Sequence, residues 1–260
     1  MNNWLQQQLL SLWIGDDRLA WFQQLDWEQA ITRWQQPEVA CPEYHQSQDF
    51  HGIAGGYQTA IAAITYDPVT KLASPPHEGW LRRQLLSHVQ GQPQAILDLG
   101  CGTGSTTLLL KQQFPKATVA GLDLSPYMLV MADYKAQQAG LKIDWQHGLA
   151  EQSPWESERF DLITISFLFH EMPSAATQAV LQESWRLLKP GGQILILDGS
   201  QRALRHLGWV IDLFREPYSR AYAAGCLTDW LTTAGFAAIQ THHVGLIHAI
   251  TVGQRPSSGI

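Results

Sequence analysis

Residues 96–104 read ILDLGCGTG, an apolar run that ends in Asp98 and continues into glycines at every second position, Gly100, Gly102 and Gly104. An apolar run of this length predicts a buried β-strand. Glycines directly after it let the backbone turn sharply and pass close to a ligand, because no Cβ is in the way. Ligands of open α/β sheets bind beyond the carboxyl ends of the strands, so this stretch predicts a strand followed by a binding loop.

From residue 95 onward, short apolar segments alternate with amphipathic helical ones. Seven segments are predicted to be strands: residues 95–99, 117–123, 141–147, 160–167, 193–200, 237–244 and 246–253. Continuous Ile, Leu and Val between helices are typical of a parallel sheet covered on both faces. The short connection around Gly245 predicts an antiparallel pair at the sheet edge. The predicted fold class is therefore α/β: a doubly wound, mostly parallel seven-stranded sheet with an antiparallel C-terminal hairpin.

The chain before this sheet is rich in Trp and Gln, and its apolar residues recur at helical spacing over residues 16–36 until Pro37 ends the predicted helix. We therefore divide the chain into a helical N-terminal extension at 1–76 and an α/β domain at 77–255. Three roles are open for the extension: a cap over a substrate, a contact in a homodimer, or a helix on a membrane surface. Its many Gln and few basic residues disfavour the membrane.

Composition and charge exclude several classes of protein. The 260 residues are 45% hydrophobic and carry a net charge of -6, which disfavours binding to nucleic acid through its phosphates. No apolar stretch reaches the roughly 20 residues of a transmembrane segment. The cysteines Cys41, Cys101 and Cys226 are odd in number and lack metal-ligand spacing, so neither a disulfide framework nor a metal site is predicted. These features predict a cytoplasmic protein with no nucleic-acid partner.

The glycine spacing separates two classes of ligand. A dinucleotide site usually has the spacing GxGxxG, whereas the third glycine here comes one position early, which disfavours an NAD-dependent oxidoreductase. Asp98 stands two residues before the first glycine, where a carboxylate can pair with an ammonium group and would repel a pyrophosphate. S-adenosylmethionine has an ammonium and a sulfonium centre and no phosphate, so the pattern favours it.

The pattern D-x-G-x-G-x-G resembles that of the class I S-adenosylmethionine-dependent methyltransferases, and the resemblance covers roughly residues 77–253. The KPGG before the fifth strand and the closing hairpin match this family as well. The resemblance implies a Rossmann-like methyltransferase fold, S-adenosylmethionine as cofactor and S-adenosylhomocysteine as product. Residues 64–85 are similar to the segment that precedes the core in quinone-ring methyltransferases, which implies a small-molecule acceptor methylated on O, N or C.

The donor site is predicted around the first two strands. Asp123 ends the second strand about 25 positions after Asp98, where an acid can accept hydrogen bonds from both ribose hydroxyls. Family members hold the adenine edge with an acid after the third strand, but Leu149 stands there, so either Glu151 replaces it or no acid does. The predicted cofactor-binding residues are Asp98, Gly100, Cys101, Gly102, Gly104, Asp123, Leu124, Met128 and Ala150.

The acceptor side is predicted at the ends of the fourth and fifth strands. His170 follows the fourth strand and titrates in the neutral range, so it is either the catalytic base or a structural hydrogen-bonding group. Glu171 is expected to cap the next helix or to face solvent. The predicted substrate residues are Asp198, Tyr66 over the donor's methionine end, and Trp209, Tyr218 and Tyr222 of an aromatic segment that also includes Phe214.

Two alternatives to methyl transfer remain open from the sequence. An aminopropyltransferase on the same fold would favour an acid-rich cleft, and the segment after the fourth strand holds only His170 and Glu171. A non-catalytic methyltransferase-like binding protein is favoured by one feature, the departure at Leu149. Fold analogy alone does not identify the acceptor.

Overall fold

The computed structural model describes residues 15–46, 55–73, 77–209, 211 and 217–257. Its strands are β1 (Ala95–Leu99), β2 (Thr118–Asp123), β3 (Asp144–His147), β4 (Phe160–Ser166), β5 (Leu188–Gly199), β6 (Ala237–Val244) and β7 (His248–Gln254). They form one sheet in the order β3-β2-β1-β4-β5-β7-β6. Strands β1 to β5 run parallel, and β7 pairs antiparallel with both β5 and β6. The predicted fold class is confirmed.

Helices cover both faces of this sheet. Those described are α1 (Asp16–Gln24), α2 (Trp27–Thr32), α3 (Glu43–Gln46), α4 (Ala60–Ala73), α5 (Glu78–Ser87), α6 (Ser105–Gln113), α7 (Pro126–Gln138), α8 (Ser174–Leu187), α9 (Gln201–His206), α10 (Ser219–Ala224) and α11 (Leu227–Thr233). A 3₁₀ turn, Phe169–Glu171, follows β4.

Each central strand sends alternate side chains into two separate cores. Ile96 of β1 belongs to a cluster with Leu81 and Leu85 of α5. The next residue, Leu97, belongs to a second cluster with Val180 of α8. All four leucine and isoleucine side chains are fully buried. Because successive residues of a strand point to opposite faces, the continuous apolar run of β1 requires helices on both sides.

The topology leaves a crevice at the carboxyl end of β1. From β1 the chain moves outward to β2 and β3 on one side, and then crosses to β4 and β5 on the other. The loops after β1 and β4 therefore leave the sheet in opposite directions. A ligand site is expected at such a switch point, beyond the ends of the strands.

The N-terminal extension differs from the single helix predicted over residues 16–36. Helix α1 ends before Leu25, and α2 starts after Asp26. The Asp26 carboxylate accepts the backbone N–H of Gln29 at 3.1 Å, so it caps a new helix and interrupts the pattern. Apolar spacing alone did not reveal this break.

The described part of the extension packs on the body of its own chain. The Trp21 ring stacks on Tyr134 of α7 with centroids 4.0 Å apart, and Trp27 stacks on Tyr127 of the same helix. Residues 1–14 at the start of the predicted extension and residues 74–76 at its boundary lie outside the described residues. The homodimer through this extension stays a prediction. In the described part of the chain, no helix combines the length and the apolar character that crossing a bilayer requires.

Candidate active site

A cleft opens at the carboxyl ends of β1, β2 and β4 and holds about 780 Å³, open solvent at its mouth included. One side, which we call the glycine side, is formed by Gly100, Cys101, Gly102, Asp123, Leu124, Met128 and Ala150. The other, the aromatic side, is formed by Tyr44, His45, Tyr57, Tyr66, Phe167 and Glu171.

The three glycines of the turn after β1 have different surroundings. All three have positive φ angles, of 66° at Gly100, 53° at Gly102 and 77° at Gly104. A Cβ on Gly100 would lie 2.8 Å from the Leu168 side chain, and one on Gly104 would lie 2.7 Å from the Trp145 ring. A Cβ on Gly102 would meet nothing within 4 Å. Gly104 is therefore needed for packing, whereas Gly102 brings bare backbone to an open part of the cleft.

Asp98 lies behind this turn and not on the described lining of the cleft. Its side chain is buried, and its two carboxylate oxygens accept the hydroxyls of Thr107 at 2.6 Å and Thr164 at 2.7 Å. Burial raises the pKa of Asp98, against the lowering effect of these two hydrogen bonds. The carboxylate ties β1 to α6 and β4, and its contact with a ligand's ammonium group stays a prediction.

Asp123 lies on the glycine side of the cleft, at the end of β2. Its carboxylate accepts the backbone N–H groups of Gly102 at 2.7 Å and Ser125 at 2.8 Å. Burial raises the pKa of Asp123 to about 6, although these two hydrogen bonds lower it. Each carboxylate oxygen has a second lone pair, so the group can still accept from a pair of ligand hydroxyls.

The far end of the glycine side is apolar. Leu124, Met128, Leu149 and Ala150 line it, and Glu151 follows them. The Glu151 carboxylate accepts the Tyr44 hydroxyl. An acid is therefore present next to the predicted adenine position despite the leucine at 149.

Cys101 lies on the glycine side as well. Its thiol is free, and burial raises its pKa well above the usual value. A protonated, buried thiol is a small apolar side chain and not a nucleophile. Among the described residues, no three His, Cys, Asp or Glu side chains gather in a metal-binding arrangement.

His170 and Asp198 come together behind the aromatic side. The Nδ1 atom of His170 is 2.6 Å from Oδ1 of Asp198, which also accepts the Gly199 backbone N–H. The His170 Nε2 atom lies 3.7 Å from Oε1 of Glu171. Glu171 lines the cleft and accepts the Tyr57 hydroxyl, so it neither caps a helix nor faces solvent as expected. The predicted substrate residue Asp198 instead orients His170.

The predicted aromatic substrate residues separate into different environments. Tyr66 lines the cleft, and its ring lies edge-on to Tyr57 with centroids 5.9 Å apart. Tyr218 is one layer back, where its hydroxyl donates to the Tyr44 carbonyl at 2.9 Å. Tyr222 is only 2% exposed and belongs to the main core, whereas Trp209 is 67% exposed. The structure does not bring Tyr222 or Trp209 to the cleft.

Phe214 lies outside the described residues. Several lining residues that the structure brings to the cleft were not predicted as site residues, among them Tyr44, His45, Tyr57, Arg82 and Glu171. Of these, Arg82 has a readable signal, because a four-residue spacing places it with Glu78 on the apolar face of α5 that holds Leu85. A charged pair on an apolar face indicates a buried and specific role.

The glycine side fits S-adenosylmethionine in shape and in chemistry. The open backbone at Gly102 leaves room for the methionine part, the Asp123 carboxylate suits a ribose, and the Leu124–Ala150 end suits an adenine. A methyltransferase-domain family model matches residues 96–192, which run from β1 into β5. With the relatives below, this match shows that the chain belongs to the class I S-adenosylmethionine-dependent methyltransferases, with S-adenosylmethionine as its cofactor.

The relatives place the chain near the quinone-ring enzymes of this family. It is 32% identical over 220 residues to the demethylmenaquinone methyltransferase of Thermus thermophilus, a match covering 75% of this chain and 98% of that enzyme. The enzyme of the same name from Lactococcus lactis is 29% identical over 239 residues, with 81% and 91% covered. That from Lactobacillus johnsonii is 36% identical over 150 residues, with 55% and 61% covered.

Solved structures agree on the fold. Phosphoethanolamine N-methyltransferase 2 of Haemonchus contortus, in complex with S-adenosyl-L-methionine, has a TM-score of 0.63 at 16% identity, with 84% of this chain and 61% of that chain covered. Human N-acetylserotonin methyltransferase in complex with the same molecule has a TM-score of 0.60 at 17% identity, with 77% and 58% covered. At these identities the likeness shows a shared fold alone.

Proposed function

We propose that this methyltransferase acts on a hydroxylated aromatic ring of the quinol type. The observation that carries the proposal is the aromatic side of the cleft, where Tyr44, Tyr57, Tyr66 and Phe167 line one space with the glycine turn. Flat aromatic acceptors gain contact area and favourable ring geometry from such side chains. The demethylmenaquinone methyltransferases among the relatives support the same class of acceptor.

The glycine side would hold the donor by its three parts. Gly100 and Gly102 would admit the methionine part, Asp123 would accept the ribose hydroxyls, and Met128 with Ala150 would enclose the adenine. S-adenosylmethionine, when bound, supplies an electrophilic methyl group on a sulfonium centre. An electrophilic methyl group requires an electron-rich acceptor, which is why we propose the reduced, hydroxylated form of the ring.

The Glu171–His170 pair would take the proton that the acceptor hydroxyl loses. Glu171 faces the cleft, and His170 stands behind it with Nε2 at 3.7 Å. Asp198 holds the other ring nitrogen at 2.6 Å, which leaves Nε2 as the proton acceptor. Two carboxylates beside the ring stabilise the positive charge that it would gain. Near-attack alignment of acceptor and methyl group would supply much of the rest of the acceleration.

Calorimetric titration with S-adenosylmethionine, S-adenosylhomocysteine and NAD in parallel tests the donor site. We expect micromolar binding of the first two, none of NAD, and loss of binding in Asp123→Ala. An Asp98→Ala variant is expected to be less stable, since the Asp98 carboxylate joins β1, α6 and β4 in the wild-type chain.

A second experiment tests the acceptor. Short-chain demethylmenaquinol and simpler dihydroxyaromatics would be offered to the enzyme together with S-adenosylmethionine. A folded enzyme that binds S-adenosylhomocysteine and methylates none of them contradicts the acceptor proposal.

We also propose a cytoplasmic setting for this reaction. The described cysteines Cys41, Cys101 and Cys226 are all free thiols, which supports a reducing compartment. Fractionation of native cells with an antibody to the chain tests it, and recovery in an exported fraction contradicts it.

A further inference from the structure

Gln58 brings an amide group without a hydrogen-bond partner to the wall of the cleft. Its side chain is half-buried and lines the cleft next to Tyr57. The Nε2 atom is itself buried, and the described residues offer it no hydrogen-bond partner. A buried donor that makes no hydrogen bond destabilises the fold, so such groups are rare in proteins and call for an explanation. Neither the donor site nor the proton transfer proposed above uses this amide.

The other polar groups of the aromatic side differ from Gln58 because they have partners. The Tyr57 hydroxyl donates to the Glu171 carboxylate, and the Tyr44 hydroxyl donates to the Glu151 carboxylate. Both carboxylates line the cleft, and each has lone pairs left to accept further hydrogen bonds. The carboxylates therefore offer acceptors to a ligand, whereas the Nε2 atom of Gln58 offers a donor.

The backbone holds Gln58 in place from both sides. The carbonyl of Tyr57 accepts the hydroxyl of Ser125, the N-cap residue of α7, at 2.7 Å. The N–H of Gln58 donates to the Gly55 carbonyl at 3.2 Å, which closes a turn, and α4 begins two residues later at Ala60. A donor on an anchored segment loses little freedom when a ligand binds, so more of the hydrogen-bond energy contributes to affinity.

The chemistry of the proposed acceptor supplies a partner for this donor. A ring of the quinol type carries two oxygens. One of them loses its proton to the Glu171–His170 pair, and the second is left in a space lined by aromatic side chains. An oxygen in such a space needs a hydrogen bond, since leaving it without one is costly. A neutral amide N–H meets this need without burying a further charge.

We propose that Gln58 donates a hydrogen bond from Nε2 to the second ring oxygen of the acceptor, and so selects rings with two oxygens over rings with one. The inference rests on the proposed function. A ring with a single oxygen would leave the amide donor unpaired, as it is before the acceptor binds. A site with a polar group that only the right ligand pairs discriminates against the analogue that lacks the matching atom.

The test measures the binding of three rings to the chain saturated with S-adenosylhomocysteine, without oxygen so that the diol stays reduced. The rings are 1,4-dihydroxynaphthalene, 4-methoxy-1-naphthol, whose ether oxygen can only accept a hydrogen bond, and 1-naphthol, which lacks the second oxygen. In titration calorimetry, Gln58→Leu is expected to weaken binding of the first two by about 10-fold, the equivalent of one hydrogen bond. Binding of 1-naphthol is expected to stay within about 2-fold of the wild-type value, because it never had this bond.

Two further variants keep the test decisive. Gln84→Leu removes a half-buried glutamine of α5 that is outside the described lining, and it should leave all three affinities unchanged. If Gln58→Leu does not fold, Gln58→Met keeps an unbranched side chain of similar length and is expected to show the same selective loss.

Three results would overturn the inference. Unchanged affinities in the Gln58 variants, or an equal loss for all three rings, would show that the amide does not recognise the second oxygen. A loss for the diol alone would show that the amide accepts a hydrogen bond from the ligand instead of donating one. A wild-type chain that binds S-adenosylhomocysteine and none of the three rings would overturn the proposed acceptor class, and the inference with it.

Discussion

The two sides of the cleft are built in different ways. The residues of the glycine side from Gly100 to Met128 come from two consecutive strand–loop–helix units. The aromatic side is assembled from distant parts of the chain: the Tyr57 hydroxyl meets Glu171 across 114 positions, and Tyr44 meets Glu151 across 107. The sheet therefore shapes the donor side by local geometry, whereas tertiary packing shapes the acceptor side.

One polar cluster joins the two sides. Asp67 of α4 forms an ion pair with Lys135 of α7 at 2.8 Å and accepts the Thr103 hydroxyl at 2.6 Å. Lys135 also donates to the Ser105 hydroxyl at 2.9 Å. The extension thus holds the glycine turn through side chains that follow Gly102. If the two sides act independently apart from this cluster, variants on the glycine side should change donor affinity. Variants on the aromatic side should then change turnover.

The largest separation is expected at His170. His170→Ala should lower turnover by about 100- to 1,000-fold, because general-base catalysis contributes that much when the base is removed. Donor affinity should stay within about 2-fold, since the residue is outside the glycine side. Single-turnover rates with the best acceptor, paired with calorimetry of S-adenosylhomocysteine, measure both. A parallel loss of donor affinity and turnover would show that the two sides of the cleft do not act independently.

Gly102→Ala should have the opposite effect. A methyl group in the open part of the cleft should weaken S-adenosylhomocysteine binding by about 10- to 100-fold, the range of overpacking costs. Gly140→Ala is the matched control, because Gly140 also has a positive φ and open surroundings but lies at the end of α7, outside the described lining. An equal loss of donor affinity in both variants would show that backbone strain, and not space, governs the Gly102 effect, and no loss in either would contradict the prediction.

The pH dependence of donor binding tests the glycine side at Asp123. The pKa of this carboxyl is raised to about 6 by burial, and only the ionised form can accept freely from both ribose hydroxyls. Donor affinity is therefore expected to be full above pH 7 and to fall by about 10-fold between pH 7 and pH 5. Calorimetry across this range measures it. Asp123→Asn should bind weakly and show no slope, and a slope that persists in it would assign the titration to another group.

The smallest effect is expected at Tyr57, on the aromatic side. Tyr57→Phe removes one hydrogen bond to Glu171 and keeps the ring, so kcat/KM for the acceptor should fall by about 3- to 10-fold. Tyr134→Phe is the control, because that ring stacks on Trp21 outside the described lining. Steady-state rates at saturating donor measure both variants. An equal fall in both would point to general destabilisation.

The residues that the sequence revealed are those whose neighbours along the chain determine their position. Gly100, Gly102 and Asp123 directly follow or end buried strands, so apolar patterning locates them at the cleft. Tyr44 and Tyr57 lie in short or irregular segments, and only packing against Glu151 and Glu171 brings them there. No local pattern carries that information.

Two predicted site residues show a second limit. The spacing before the glycines predicts Asp98 near a ligand and does not reveal that its oxygens also accept the hydroxyls of Thr107 and Thr164 behind the turn. Tyr222 shares an aromatic segment with Tyr218, yet its ring is in the core. Composition identifies which segment approaches the site, whereas helix phase and hydrogen-bond partners decide which side chain reaches it.

The long-range contacts of the extension also determine when it can become ordered during synthesis. Residues 55–73 leave the ribosome before two of their hydrogen-bonding partners, Lys135 and Glu171. Asp67 has to wait for Lys135, and Tyr57 has to wait for Glu171, about two-thirds of the way along the chain. Contacts of such high sequence separation form late and slow folding. Nascent chains stalled before Glu171 therefore lack the hydrogen bond from Tyr57, and the aromatic side is completed only after β1 and β4 have been made.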